Sequence, residues 1–195
     1  MRMSKKWFTF VGIVLLVVLS ACGHARKPDA LNWKVQPFSF TDENGQRFGS
    51  KQLKGKVWIA DFEFTHCTTV CPFLTANLAK LQKQLKEAHV PVQIVTFTVD
   101  PDRDTPEVLK KFGASYHADF SNWHFLTGYS FDELKDLSEQ SFKSAVAKPE
   151  KGSDQFTHGV SFFLVDQNGV IVQKYEGYQN TPFKQIVADA KALNQ

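Results

Sequence analysis

Two cysteines, Cys67 and Cys71, stand with three residues between them in the stretch FTHCTTVCPF, and Pro72 follows the second directly. That spacing leaves four kinds of chemistry open: a structural disulfide, electron exchange, attack on a substrate, and metal ligation. A structural disulfide here would close a loop of only a few residues and would restrict the unfolded chain little. Pro72 suits the first turn of a helix, where its missing N–H would have had no partner. Cys71 is then expected at the positive end of that helix, where a thiolate is favoured over a thiol. Far along the chain, His158 in Gln155-Phe156-Thr157-His158-Gly159 offers an imidazole. Facing two thiolates, it would complete a Cys2His set, soft enough for copper(I) and still competent for copper(II). Zinc fits the same ligand types, but a closed structural zinc site takes four protein ligands and no convincing fourth is evident.

These residues have to be positioned by an alternating pattern of strands and helices. The residues Phe38-Ser39-Phe40, with those after Asn44-Gly45, predict a small N-terminal hairpin. VWIADFEF, residues 57–64, reads as a buried strand, and VQIVTFTV, residues 92–99, as a second. Between them a helix is expected from Pro72 to about Lys86, with Leu74, Leu78, Leu81 and Leu85 on one face. Helices are expected again near Pro106 to Tyr116, from Phe131 to Phe142 and from Thr181 to Leu193. A hairpin of Val160 to Val165 and Val170 to Tyr175 turns at Asn168-Gly169, and Lys148 to Asp154 reads as an exposed loop. The class is therefore α/β, a mixed sheet flanked by helices, with a right-handed βαβ crossover and an N-terminal β-hairpin extension.

This order resembles that of thioredoxin, and it sets the cysteine pair where the first central strand gives way to a helix, at the carboxyl end of the sheet. In thioredoxin-like proteins the loop leading into the later hairpin packs against the cysteine motif and carries a cis-proline. This sequence has His158 there and no proline. The segment Val99-Asp100-Pro101-Asp102-Arg103-Asp104-Thr105-Pro106 reads as a turn and a helix cap at Asp104 or Thr105, from which an aspartate can stand near the site. His66, beside Cys67, reads as a turn histidine rather than an extra ligand. His24, His89, His117 and His124 share no spacing that gathers them.

The third cysteine belongs to a different part of the chain. Arg2, Lys5 and Lys6 precede an apolar run from Phe8 to Leu19, followed by Ser20-Ala21-Cys22. Residues 1–21 read as a secretory signal, too short for a spanning helix in the mature protein. The small residues before Cys22 resemble the lipobox of bacterial lipoproteins, which implies a lipid on Cys22, a tether over residues 22–32 and a domain over 33–195. The compartment is then the extracytoplasmic face of the cell membrane, where thiols oxidise readily. Of 23 basic residues three fall in the leader, which leaves 20 against 20 acidic ones. A nearly neutral domain carries no nucleic-acid footprint and no polybasic membrane patch.

The Cys67-xxx-Cys71-Pro72 motif, the DPDRDTP segment, the Trp123-His124-Phe125-Leu126-Thr127-Gly128 stretch and the late His158 together are similar to the Sco (SenC-like) family of thioredoxin-like, copper-binding assembly factors of cytochrome c oxidase. The resemblance covers nearly all of the mature domain. It implies that Cys67, Cys71 and His158 bind copper and that the two cysteines can also form a disulfide. It further implies a metallochaperone whose partner is the oxidase subunit bearing the dinuclear copper centre. A thiol-disulfide oxidoreductase acting on the cysteines of that centre is the alternative. Three residues between the cysteines, in place of the usual two, and the histidine in place of proline weigh against that alternative. A peroxidase of the peroxiredoxin type would need Pro-xxx-Thr-xx-Cys, and Ala60 and Phe64 occupy the matching positions. The leader makes its own prediction: mass spectrometry of the mature N-terminus finds a lipid on Cys22, and Cys22→Ala leaves the chain uncleaved or displaced from the membrane. A mature chain that starts elsewhere without lipid contradicts it.

Overall fold

A strand buried along its whole length must be covered on both faces, and β4, Trp58–Glu63, is such a strand. In the computed structural model, which describes residues 31–195, β4 stands among six strands in the order β1-β8-β7-β4-β5-β6. The expected signal over 1–21, Cys22 and the expected tether as far as residue 30 lie outside the described residues. β5, Gln93–Thr98, pairs with β4 in parallel, and β6, Trp123–Leu126, pairs with β5 in parallel. On the other side β7, Ser161–Val165, runs antiparallel to β4, and β8, Val170–Glu176, antiparallel to β7. The edge strand β1, Trp33–Lys34, closes the row on β8. The expected hairpin is present as β2, Ser39–Thr41, and β3, Arg47–Gly49, which form a separate two-stranded sheet. The short helix α1, Ser50–Leu53, follows it.

The long helices divide between the two faces. α2, Cys71–Glu87, buries Leu74, Leu78, Leu81 and Leu85, the stripe whose three- and four-residue spacing marked it as amphipathic. It shares one core with Leu109 of α3, Pro106–Ser115, and with Ile186, Ala190 and Leu193 of α5, Phe183–Leu193. The other core gathers Phe131, Leu134, Leu137 and Phe142 of α4, Phe131–Phe142, with Val35, Phe38 and Phe48 from the N-terminal segment. The hairpin extension is thus part of the cover over the sheet. Among the described residues no helix is long and apolar enough to cross a membrane.

One buried carboxylate ties the crossovers together at the carboxyl end of the parallel strands. The Thr105 hydroxyl caps α3, accepting the Val108 N–H, and this frees Asp104 for another task. Asp104, fully buried, accepts from the Thr65 N–H at 3.1 Å and from the Thr65 and Thr98 hydroxyls. It therefore locks the loop after β4 to the end of β5. Asp104→Ala strands three donors, the buried Thr98 hydroxyl and the part-buried N–H and hydroxyl of Thr65, at up to about 1 to 3 kcal/mol for the buried one and less for the others. We expect a loss of about 3 kcal/mol in urea unfolding with an unchanged slope; a change under about 1 kcal/mol would mean that the lock is dispensable.

Candidate metal centre

The loop that Asp104 holds leads straight into the cysteines. Val70, at the N-cap of α2, offers no side-chain cap, so the first N–H groups of the helix need other acceptors. The Cys67 sulfur supplies one: the Cys71 N–H points at Cys67 Sγ at 3.4 Å, and the Thr69 hydroxyl lies 3.6 Å from the same sulfur. Pro72 sits in the first turn, as its missing N–H requires. Both cysteines are free thiols; Cys71 is sealed from solvent, while Cys67 retains 8% of its surface.

His158 arrives from the segment before β7. Its Nδ1 lies 2.9 Å from the Gly159 carbonyl oxygen, which can only accept, so Nδ1 carries the proton. In the neutral ring Nε2 then presents its lone pair, and it faces Cys71 Sγ at 3.3 Å. The Phe64 ring stands edge-on to the imidazole, at 90° and 5.8 Å between centroids, and shields it on one side. The two sulfurs and the imidazole nitrogen lie within 4.8 Å of one another. Sulfur and imidazole donors converging on one point suit a soft or borderline ion.

The sulfurs differ in protonation. Burial works against the Cys67 thiolate, but a hydrogen bond from the His158 ring, which takes a proton on Nε2 as well as on Nδ1, together with the Cys71 N–H and thiol and the Thr69 N–H, outweighs it and brings Cys67 down to about 5. Burial pushes the Cys71 thiol far above its usual range, and the nearby Glu63 carboxyl adds to the effect. This corrects the expectation that the helix start favours a thiolate at Cys71. The positive end of the helix acts on the atom its first N–H points toward, and that atom is Cys67 Sγ. Glu63 and Asp61 were hidden in a strand that reads as apolar. Both side chains are buried; Thr75 of α2 donates to Glu63, and Thr96 of β5 donates to Asp61 at 2.7 Å. Burial, and then the Asp61 charge, hold Glu63 well above the ordinary carboxylate range.

The remaining candidates fall outside the cluster. His66 is exposed, with Nε2 2.7 Å from Asp154 Oδ2, and Arg103 reaches the same carboxylate at 3.6 Å. The aspartate of the DPDRDTP segment that approaches the site is Asp104, and it acts through Thr65 rather than on a sulfur. Thr69 and the Gly159 carbonyl carry no motif of their own and were not singled out. Cys22 lies outside the described residues.

Residues 27–195 match the protein family described as SCO1/SenC. Among solved structures, a SCO1/SenC family lipoprotein from Bacillus anthracis str. Ames is 52% identical, with a TM-score of 0.83 over 87% of this chain and 99% of that one. BsSco, a member of the Sco family of cytochrome c oxidase assembly proteins in which a disulfide switch has been identified, is 46% identical; its TM-score is 0.79 over 85% of this chain and 96% of its own. ScoI from Bradyrhizobium japonicum with copper bound is 28% identical, with a TM-score of 0.67 over 82% and 97%. Each has the same arrangement of sheet and helices as the chain described above.

The unequal sulfurs predict unequal reactivity. At pH 7 iodoacetamide labels Cys67 first in the reduced, folded protein, since the thiolate is the reacting form. The rate falls as the pH drops through about 5, where Cys67 takes up its proton. Cys71 reacts only on unfolding. Peptide mapping that finds Cys71 labelled first, or a rate that rises only near pH 8 to 9, contradicts the assignment.

Proposed function

We propose that this chain, which belongs to the SCO1/SenC family, binds copper through Cys67, Cys71 and His158 and serves as an extracytoplasmic metallochaperone for the dinuclear copper centre of cytochrome c oxidase. The observation that carries the reading is the His158 ring, whose Nδ1–H is committed to Gly159 so that Nε2 is left as a ligand beside two sulfurs. The family relation supports the choice of copper and of the oxidase, because relatives include a copper-bound ScoI and a cytochrome c oxidase assembly protein.

The chemistry of loading follows from the protonation states. Cys67 meets the ion as a thiolate, while Cys71 must give up its S–H proton to solvent as it ligates. Nε2 of His158, 3.3 Å from Cys71 Sγ in the metal-free site, turns its lone pair to the metal on loading. Copper is cargo here, taken up and passed on. Its acceptor is the oxidase subunit that carries the dinuclear centre. A lipid on Cys22 holds the domain at the membrane surface, and the likeness to a lipoprotein of the same family supports that placement. Multiple acyl chains, at about 0.8 kcal/mol per buried methylene, make a firm anchor.

A second reading has its own observation. One low thiol beside one sealed thiol is also the arrangement of a dithiol that exchanges disulfides, with Cys67 attacking and Cys71 resolving. His158→Ala separates the two. On the chaperone reading the reduced wild type binds one copper(II) with intense sulfur-to-copper charge-transfer absorption, and oxidation to the Cys67–Cys71 disulfide abolishes the band. The His158→Ala protein melts normally, keeps a reducible disulfide, and loses tight copper binding and support of oxidase assembly. A well-folded His158→Ala protein that restores oxidase in a deletion strain at low copper would place the redox role first.

A further inference from the structure

The hairpin that covers one face of the sheet carries a second set of ligand atoms, remote in chemistry from the thiols. Asp42 and Glu43, at the end of β2, meet His124 on β6, and one ligand atom from each lies within 4.8 Å of the others. Three features set this group apart from an ordinary turn. The Glu43 side chain has no exposed surface and that of His124 only 14%, although Glu43 follows a three-residue strand in a small hairpin. His124 Nδ1 is buried without a hydrogen-bond partner, 3.8 Å from Glu43 Oε1, a distance too long for a hydrogen bond. Finally, among the described residues no lysine or arginine pairs with either carboxylate; Lys110, the nearby cation, donates to Asn44 Oδ1 instead. Buried carboxylates are ordinarily paired with a cation or ligate one.

We propose that Asp42, Glu43 and His124 form a second metal site, which takes a divalent cation of borderline character such as zinc(II). One imidazole and two carboxylates exclude the soft preference of the thiol site, and the imidazole disfavours calcium and magnesium. The two negative charges balance the ion. The local structure already orients the donors. Asp42 Oδ1 accepts the N–H groups of Asn44 at 2.9 Å and Gln46 at 2.8 Å, which leaves Oδ2 to the cluster. Glu43 Oε2 accepts the Phe125 N–H at 3.1 Å, and Oε1 accepts from Asn44 Nδ2 at 2.6 Å with a lone pair to spare. The Phe48 ring stacks on His124 at 4.0 Å and holds its plane. Bonds of about 2.1 Å put tetrahedral neighbours about 3.4 Å apart, so binding draws groups that lie within 4.8 Å together by at most about 1.4 Å. Three protein ligands leave one position for water. The ion would rivet the hairpin to the outer strand β6, beside the bridge between Thr41 and Thr127.

The test uses the full chain with Cys67→Ser, Cys71→Ser and His158→Ala, so that the first site cannot compete, and zinc(II) alone as the probe. Calorimetric titration is expected to find one equivalent bound. Adding Asp42→Asn, Glu43→Gln or His124→Gln weakens binding at least tenfold in each case. Asparagine keeps the turn acceptor and glutamine keeps an acceptor for the Phe125 N–H, so the folds are preserved, and a thermal melt in the absence of metal checks this. X-ray absorption should show a zinc shell of nitrogen and oxygen only. Absence of stoichiometric binding, or binding that all three added substitutions leave unchanged, overturns the proposal. Neither outcome bears on copper at the thiol site.

Discussion

The antiparallel pairing of β7 with β4 is the constraint from which the site follows. Antiparallel neighbours set the start of one strand beside the end of the other. Trp58 therefore pairs with Val165 and Ala60 with Phe163, and the segment before Ser161 comes out beside the loop after Glu63. A histidine 87 residues from Cys71 arrives within 3.3 Å of it by this means. A parallel β7 would have delivered the same residue to the opposite end of the sheet. The Asp104 lock, the Thr105 cap and the helix start at Cys71 refine a meeting that the strand order has already arranged.

Within that meeting, the electrostatics divide labour between two chemically identical side chains. Cys67 lies where the first N–H of α2 points and where some solvent remains; Cys71 is fully buried, close to Glu63. The chain thus keeps one anionic sulfur ready at the rim and one neutral sulfur in reserve beneath it. A pair with two ready thiolates would repel itself in the absence of an ion, and a pair with two neutral thiols would meet a cation slowly. Burial and the Asp61 charge push Glu63 well above the ordinary carboxylate range, which disfavours further negative charge behind the sulfurs.

The fold and the thiol site were largely legible because periodicity carries both. The leucine stripe of α2, the apolar runs of β4 and β5 and the Asn168-Gly169 turn each declare one element and its direction. What escaped notice shares a different cause. The short edge strand at Trp33–Lys34 and the four residues of β6 are too brief to show a period. Asp61 and Glu63 sit in an otherwise apolar run, where the burial of a carboxylate depends on threonines 12 and 35 residues away in sequence. His124 appears isolated until the hairpin folds over it. The thiolate was expected on the wrong sulfur because sequence shows which residue begins a helix and not where the first N–H groups aim.

The bridge between Ala147 and Thr157, two hydrogen bonds of 3.0 Å each, stands between the exposed 148–154 loop and His158. It acts as a clasp: whatever the loop does beyond it, the residue after Thr157 leaves in a fixed direction. The loop's contact back to the site, His66 with Asp154 at 2.7 Å, is an exposed one that solvent readily replaces. Lengthening a flexible loop costs only about 0.6 kcal/mol per doubling. This edge of the molecule is therefore where natural insertions, or an engineered label or recognition tag, can be accommodated next to the metal centre without moving the ligand that closes it.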